Sequence, residues 1–120
     1  MLLQILPIFA YGAVAALILR VASGVAPTNR MAWLIPAIAG VLFTAFTIWT
    51  VATDGILQFW HNHTVNLAGN QVWLDLVMAV ALCFYLIAPR ARAVGMPLFP
   101  WAFAVIATAC IALLPMVARL

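Results

Sequence analysis

The sequence predicts an all-α, polytopic membrane protein with four transmembrane helices in a bundle. Three observations carry that expectation. Hydrophobic residues make up 69% of the 120 positions and charged residues 6%, against about 45–50% and about 25% in soluble domains. So little polar surface excludes a water-soluble globular domain. The apolar residues also fall into four runs near the roughly 20 residues that a membrane helix needs, and Gly, Pro, Asn and Arg separate the runs. At this length one domain over 1–120 is the natural organisation.

The first span covers about 1–21. It lacks a basic leader region and is long for the apolar core of a signal peptide, so it reads as retained in the membrane. Ser23-Gly24 and Pro27-Thr28-Asn29 then break the chain. The second span covers 31–53. The third covers 70–88 and reaches back toward Gly69 if Asp75 and the amides before it are included. Pro89 is expected to close it, because the ring cannot continue the backbone ladder. The fourth covers 96–118, opened by Pro97 and Pro100 where missing amide donors are tolerated. Small residues recur at helical spacing as Gly12/Ala16, Gly40/Thr44 and Ala104/Thr108/Ala112. They read as helix contacts, because close backbone approach helps drive association in lipid. Cys83 and Cys110 lie in apolar runs and read as small core residues, with a disulfide as the alternative.

The chain has no Lys, and its five cations are Arg20, Arg30, Arg90, Arg92 and Arg119. So scattered a set is no nucleic-acid footprint. Arg20 and Arg30 flank the first loop, and Arg90 and Arg92 occupy the third. As topology anchors they put both loops in the cytoplasm. Both termini and the polar 54–71 loop then lie outside, as in a multi-pass protein of a bacterial inner membrane. Trp33 and Trp101 fall near the inner boundary and Trp49, Trp60 and Trp73 near the outer one, as an aromatic belt requires. Arg119 is the exception, a cation at the outer end of the fourth span.

Residues 54–75 contain both acids and both histidines of the chain. Within the 54–71 loop, Gly55-Ile-Leu-Gln-Phe-Trp is apolar enough for a short interfacial helix. His61 and His63 would point the same way on an extended segment, but about 200° apart on a helix. With Asp54 or Asp75 as a third ligand they would form a site for a metal or haem iron. The alternative is a pair of interfacial histidines bonded to neighbouring amides. Asp75 is the candidate catalytic residue, because an ionisable group inside a membrane span is costly without a function or a partner. Its structural alternative is an ion pair with Arg119, which would also account for that arginine. Arg90-Ala-Arg92 suits lipid phosphates, either as an anchor or as a specific headgroup site.

Four segments together resemble a known group. They are Thr53-Asp-Gly-Ile-Leu-Gln-Phe-Trp-His-Asn-His-Thr, Gly69-Asn-Gln-Val-Trp-Leu-Asp-Leu, Pro89-Arg-Ala-Arg-Ala-Val-Gly-Met and Leu113-Leu-Pro-Met-Val-Ala-Arg119. The chain from about 31 to 120 resembles small bacterial inner-membrane proteins classed as a domain of unknown function, with a three-span core. The resemblance implies that the first span is an addition, that Asp75 is the aspartate of the middle span, and that Arg90 and Arg92 form its basic loop. It implies no activity. Lycopene-cyclase-type subunits of similar length are rich in paired Glu, and this chain has none.

Three functions follow as expectations. The first is a non-enzymatic subunit or scaffold in the lipid bilayer, packed against a membrane partner or its own copies. The second is an enzyme or cofactor-binding protein for a lipid-like substrate, metal or haem, acting through His61, His63, Asp54 and Asp75. The third is an oligomeric small transporter, with Tyr11, Thr44, Thr47, Thr50 and Thr108 as its polar path.

Overall fold

The computed structural model describes residues 2–23 and 31–120. Arg30 and the turn around Pro27 lie outside the described residues. Where the sequence suggests one domain, the fold has two compact units, Met1–Arg30 and Met31–Leu120. The second has nearly the bounds of the segment that carries the resemblance.

The first unit is the helix α1 (Leu2–Ala22). It is apolar on all sides, which suits a helix surrounded by lipid or by other helices. Arg20 lies in its last turn, where a cation complements the helix dipole. The Ser23 hydroxyl donates to the Arg20 carbonyl at 2.8 Å.

The second unit contains α2 (Leu34–Asp54), α3 (Leu57–Thr64), α4 (Leu67–Ala93), α5 (Leu98–Thr108) and α6 (Cys110–Ala118). Among the described residues three helices, α1, α2 and α4, are long and apolar enough to cross a membrane. That length and composition mark the chain as a membrane protein. α2 ends at Gly55, whose φ of 85° no L side chain adopts easily and whose N–H donates to the Val51 carbonyl. Along α2, the hydroxyls of Thr44, Thr47, Thr50 and Thr53 each donate to the carbonyl four residues back, at 2.7–2.9 Å. Thr108 does the same to Ala104. The expected polar path is thus tied into its own helices.

Two boundaries differ from expectation. Pro89 does not close the third span, and α4 runs through it to Ala93. The stop is Gly95, at φ 73°. The Gly95 N–H donates to the Arg92 carbonyl at 3.0 Å and the Met96 N–H to the Ala91 carbonyl at 2.9 Å. Those two bonds make a Schellman cap, completed by the apolar contact between Met96 and Ala91. The cap and the burial of Ala91 hold the helical turn that follows Pro89.

The fourth apolar run is not one span. It divides at Ala109, whose φ of 49° and ψ of −115° turn the chain between α5 and α6. The two short helices fold back on each other as a hairpin. Met116 of α6 packs against Met96 and Ala91 at the base, while Val105, Ala112 and Leu113 pack together nearer the tip. In a single helix, Met96 and Met116 would be about 30 Å apart. The hairpin lies along α4 from Val80 to Ala91, and α6 packs against α2 on its other side. Gly40 makes that approach possible. A Cβ there would come within 3.3 Å of the Leu114 Cβ.

The fold-back corrects the placement of the C-terminal end. Arg90 Nη2 donates to the main-chain oxygen of Leu120 at 2.9 Å. Leu120 is therefore at the arginine-bearing end of α4, away from the 54–71 segment.

Candidate functional site

The 54–71 segment folds as the short helix α3, a tight turn and the first residues of α4. Asn66 caps α4, its side-chain oxygen accepting from the Gly69 N–H at 2.7 Å, which satisfies one of the helix's orphan donors. Gly69 also sets the approach of α3 to α4. A Cβ at this position would lie 2.7 Å from the Asn62 carbonyl oxygen and 3.2 Å from the His63 Cα. Only glycine fits there.

Trp73, on the next turn of α4, fills the space between the two helices. Its ring centre is 5.3 Å from that of His63 and 6.4 Å from that of Trp60, the latter edge to face. The His63 Nδ1–H donates to the Phe59 carbonyl. A carbonyl only accepts, so Nδ1 carries a proton. Gln58 donates to the Asn62 side-chain oxygen at 3.0 Å, and Asn70 donates to the His63 carbonyl at 3.4 Å. Asn70 thus ties the start of α4 to α3, while the Gln58 and His63 bonds lie within α3.

His61 and His63 share one short helix, so they diverge and do not chelate one ion. Among the described residues no three His, Cys, Asp or Glu side chains group closely enough to hold a metal. The expected set of His61, His63 and Asp54 is thereby corrected. His63 is spent on Phe59 and Trp73, and His61 and Asp54 are exposed. Asp54 ends α2, a separate helix from the histidines.

Asp75 and Arg119 are not brought together either. Arg119 adjoins Leu120, which is fixed to Arg90, and Asp75 is fifteen residues back along α4. Fifteen helical residues rise about 22 Å. The expected ion pair fails because the last run turns back at Ala109 instead of crossing. Cys83 is exposed rather than in a core, Cys110 is partly buried, and both are free thiols.

Asp75 occupies a distinctive face. It is exposed, and among the described residues it has no ion pair or hydrogen bond. The stripe of α4 that holds the hairpin contains Val80, Phe84, Ile87 and Ala91. At 100° per residue, Gln71, Asp75, Met78, Leu82 and Tyr85 point the opposite way. All five are exposed, Met78 at 61%, Leu82 at 58% and Tyr85 at 74%. Asp75 stands out in the sequence but its stripe does not, because α4 is apolar nearly all round and only the hairpin shows which side is taken. No protein-family model, curated protein or solved structure matches the chain.

Proposed function

We propose that this protein is a non-enzymatic membrane subunit that assembles through the Asp75 face of α4, with a second copy of itself as the partner. The observation that carries the reading is the two-sided α4. One stripe is covered by the chain's own hairpin. Within the second unit the opposite stripe is uncovered, and it includes a carboxylate about two turns inside the start of an apolar helix. An unpaired carboxylate in a bilayer costs up to about 3 kcal/mol at the centre and less toward the edge, so a partner that donates hydrogen bonds is favoured. Gln71 lies one turn from Asp75 on the same stripe. In a parallel two-fold pair each residue lies level with its own copy, so the two Asp75 side chains meet near the axis, with the Gln71 amides one turn away and within side-chain reach to donate to them. Such a self-complementary patch is what an isologous dimer needs.

The arginine end of the second unit, with Arg90, Arg92 and Arg119, is the cytoplasmic end in this reading, and α3 lies on the outer face of a bacterial inner membrane. Arg119 then no longer departs from the charge rule. The resemblance to the three-span family fits the same picture, with Asp75 as an assembly residue rather than a catalytic one.

The test is dimerisation in lipid vesicles, followed by energy transfer between labelled copies. Wild type is expected to dimerise. Asp75→Leu and Gln71→Leu are each expected to weaken the dimer about 5- to 30-fold, the range for a hydrogen bond of about 1–2 kcal/mol between membrane helices. Asp75→Asn, which still pairs with an amide, should retain most of the affinity. A wild-type protein that stays monomeric at high protein-to-lipid ratio refutes self-assembly.

A further inference from the structure

On the far side of the hairpin from α4, an open groove of about 670 Å³ runs between α2 and α6. Its size is that of a small-molecule site. Gly40 faces Leu114 and Pro115, and α6 returns toward the arginine-bearing end of α4, so Trp33 and Arg119, both lining the groove, lie toward one end of it. Ala45, Ile48 and Ile111 line it farther in. Thr44 reaches the groove too, but its hydroxyl donates to the Gly40 carbonyl. The bed is therefore apolar and the mouth cationic.

No acidic side chain lies near the mouth. The chain has two acidic side chains, Asp54 at the far end of α2 and Asp75 in the far half of α4. Among the described residues the Arg119 guanidinium has no partner, while Arg90 is occupied by Leu120. The Trp33 indole N–H, a donor without an acceptor among the described residues, borders the same mouth. From Trp33 to Ile48 the groove follows α2 for about 22 Å, which exceeds the roughly 15 Å depth of one leaflet's hydrocarbon.

We propose that this groove holds one anionic phospholipid of the leaflet on the arginine side. The phosphate group accepts from Arg119 and Trp33, and an acyl chain lies along Ala45 and Ile48. A zwitterionic lipid fills the same bed but gains less at the mouth, since each basic residue near an anionic headgroup adds about fivefold in affinity.

The experiment uses full-length protein, stripped of lipid in detergent and titrated with phosphatidylglycerol or phosphatidylcholine of matched chains. Native mass spectrometry counts the lipids retained. Wild type is expected to keep one phosphatidylglycerol, about fivefold tighter than phosphatidylcholine. Arg119→Gln should bring the two to equality, and Ala45→Phe should weaken both. Helix content and melting by circular dichroism identify any variant that fails to fold. A photo-crosslinking residue at position 45, activated in native membranes, supplies a readout free of that risk, with a phospholipid adduct expected. Equal retention of both lipids by wild type, a preference that survives Arg119→Gln, binding unaffected by a folded Ala45→Phe, or a crosslink to polypeptide alone would overturn the proposal.

Discussion

Arg90 and Leu120 are thirty residues apart in sequence and hydrogen-bonded in the structure, the guanidinium donating to the Leu120 main-chain oxygen at 2.9 Å. The bond closes the base of the α5–α6 hairpin against α4. It also holds the residue that follows the Arg119 C-cap of α6 against α4.

That bond puts residues 92 and 120 at one end of α4. With Cys83 and Cys110 replaced by Ala, single cysteines at Arg92→Cys and Leu120→Cys are expected to react with a membrane-impermeant maleimide from the same side. A cysteine at His61→Cys should react from the other side. Labelling of position 120 together with position 61 would restore a continuous fourth span.

Ala109 offers a thermodynamic check on the same turn. A non-glycine residue at φ 49°, ψ −115° carries about 1–3 kcal/mol of backbone strain. Ala109→Gly is therefore expected to stabilise the protein by about 1 kcal/mol, measured by denaturant titration in micelles. In an uninterrupted helix the same change would cost about 1 kcal/mol, so the sign alone separates the two folds.

Pro89 and Gly95 should respond oppositely. Pro89→Ala restores an N–H to the Tyr85 carbonyl inside α4 and is expected to raise stability. Gly95→Ala forces a Cβ onto φ 73° and is expected to lower it by about 1 kcal/mol. Thermal melts of the two variants in one detergent make the comparison.

Gly69→Ala tests the seat of α3. The added Cβ meets main-chain atoms of Asn62 and His63, which move only if α3 shifts. Overpacking of this kind costs about 1–3 kcal/mol. Faster amide hydrogen exchange across Leu57–Thr64, with the rest of α4 unchanged, is the expected result. Unchanged protection of α3 would mean that the two helices are not locked at this point.

Much of the fold was legible because long apolar runs and an interfacial amphipathic segment are set by local composition. α1, α2, α4 and α3 came from that signal alone. The hairpin did not, because Ala107-Thr108-Ala109-Cys110 contains neither Gly nor Pro, and its turn is imposed by packing on α2 and α4. Two traces of it were present. Pro115 interrupts the backbone ladder within the last run, and Arg119 breaks the charge rule only if that run crosses. At the candidate site, the spacing of His61 and His63 on a helix already argued against chelation. The role of Gly69 was hidden, because a close approach between helices leaves no mark in either one. The expected Asp75–Arg119 pair failed for the same reason as the fourth span.

The tip of the hairpin, Thr108-Ala109-Cys110, carries no charge, and α5 rises only about 16 Å from its base, roughly half the hydrocarbon thickness. Both of its ends stay with the arginines. During biogenesis the hairpin therefore needs no polar segment carried through the membrane, and it enters from the side on which it was made. The last quarter of the chain packs against α2 and α4, and its place rests on that docking rather than on a crossing like those for which α1, α2 and α4 are long enough.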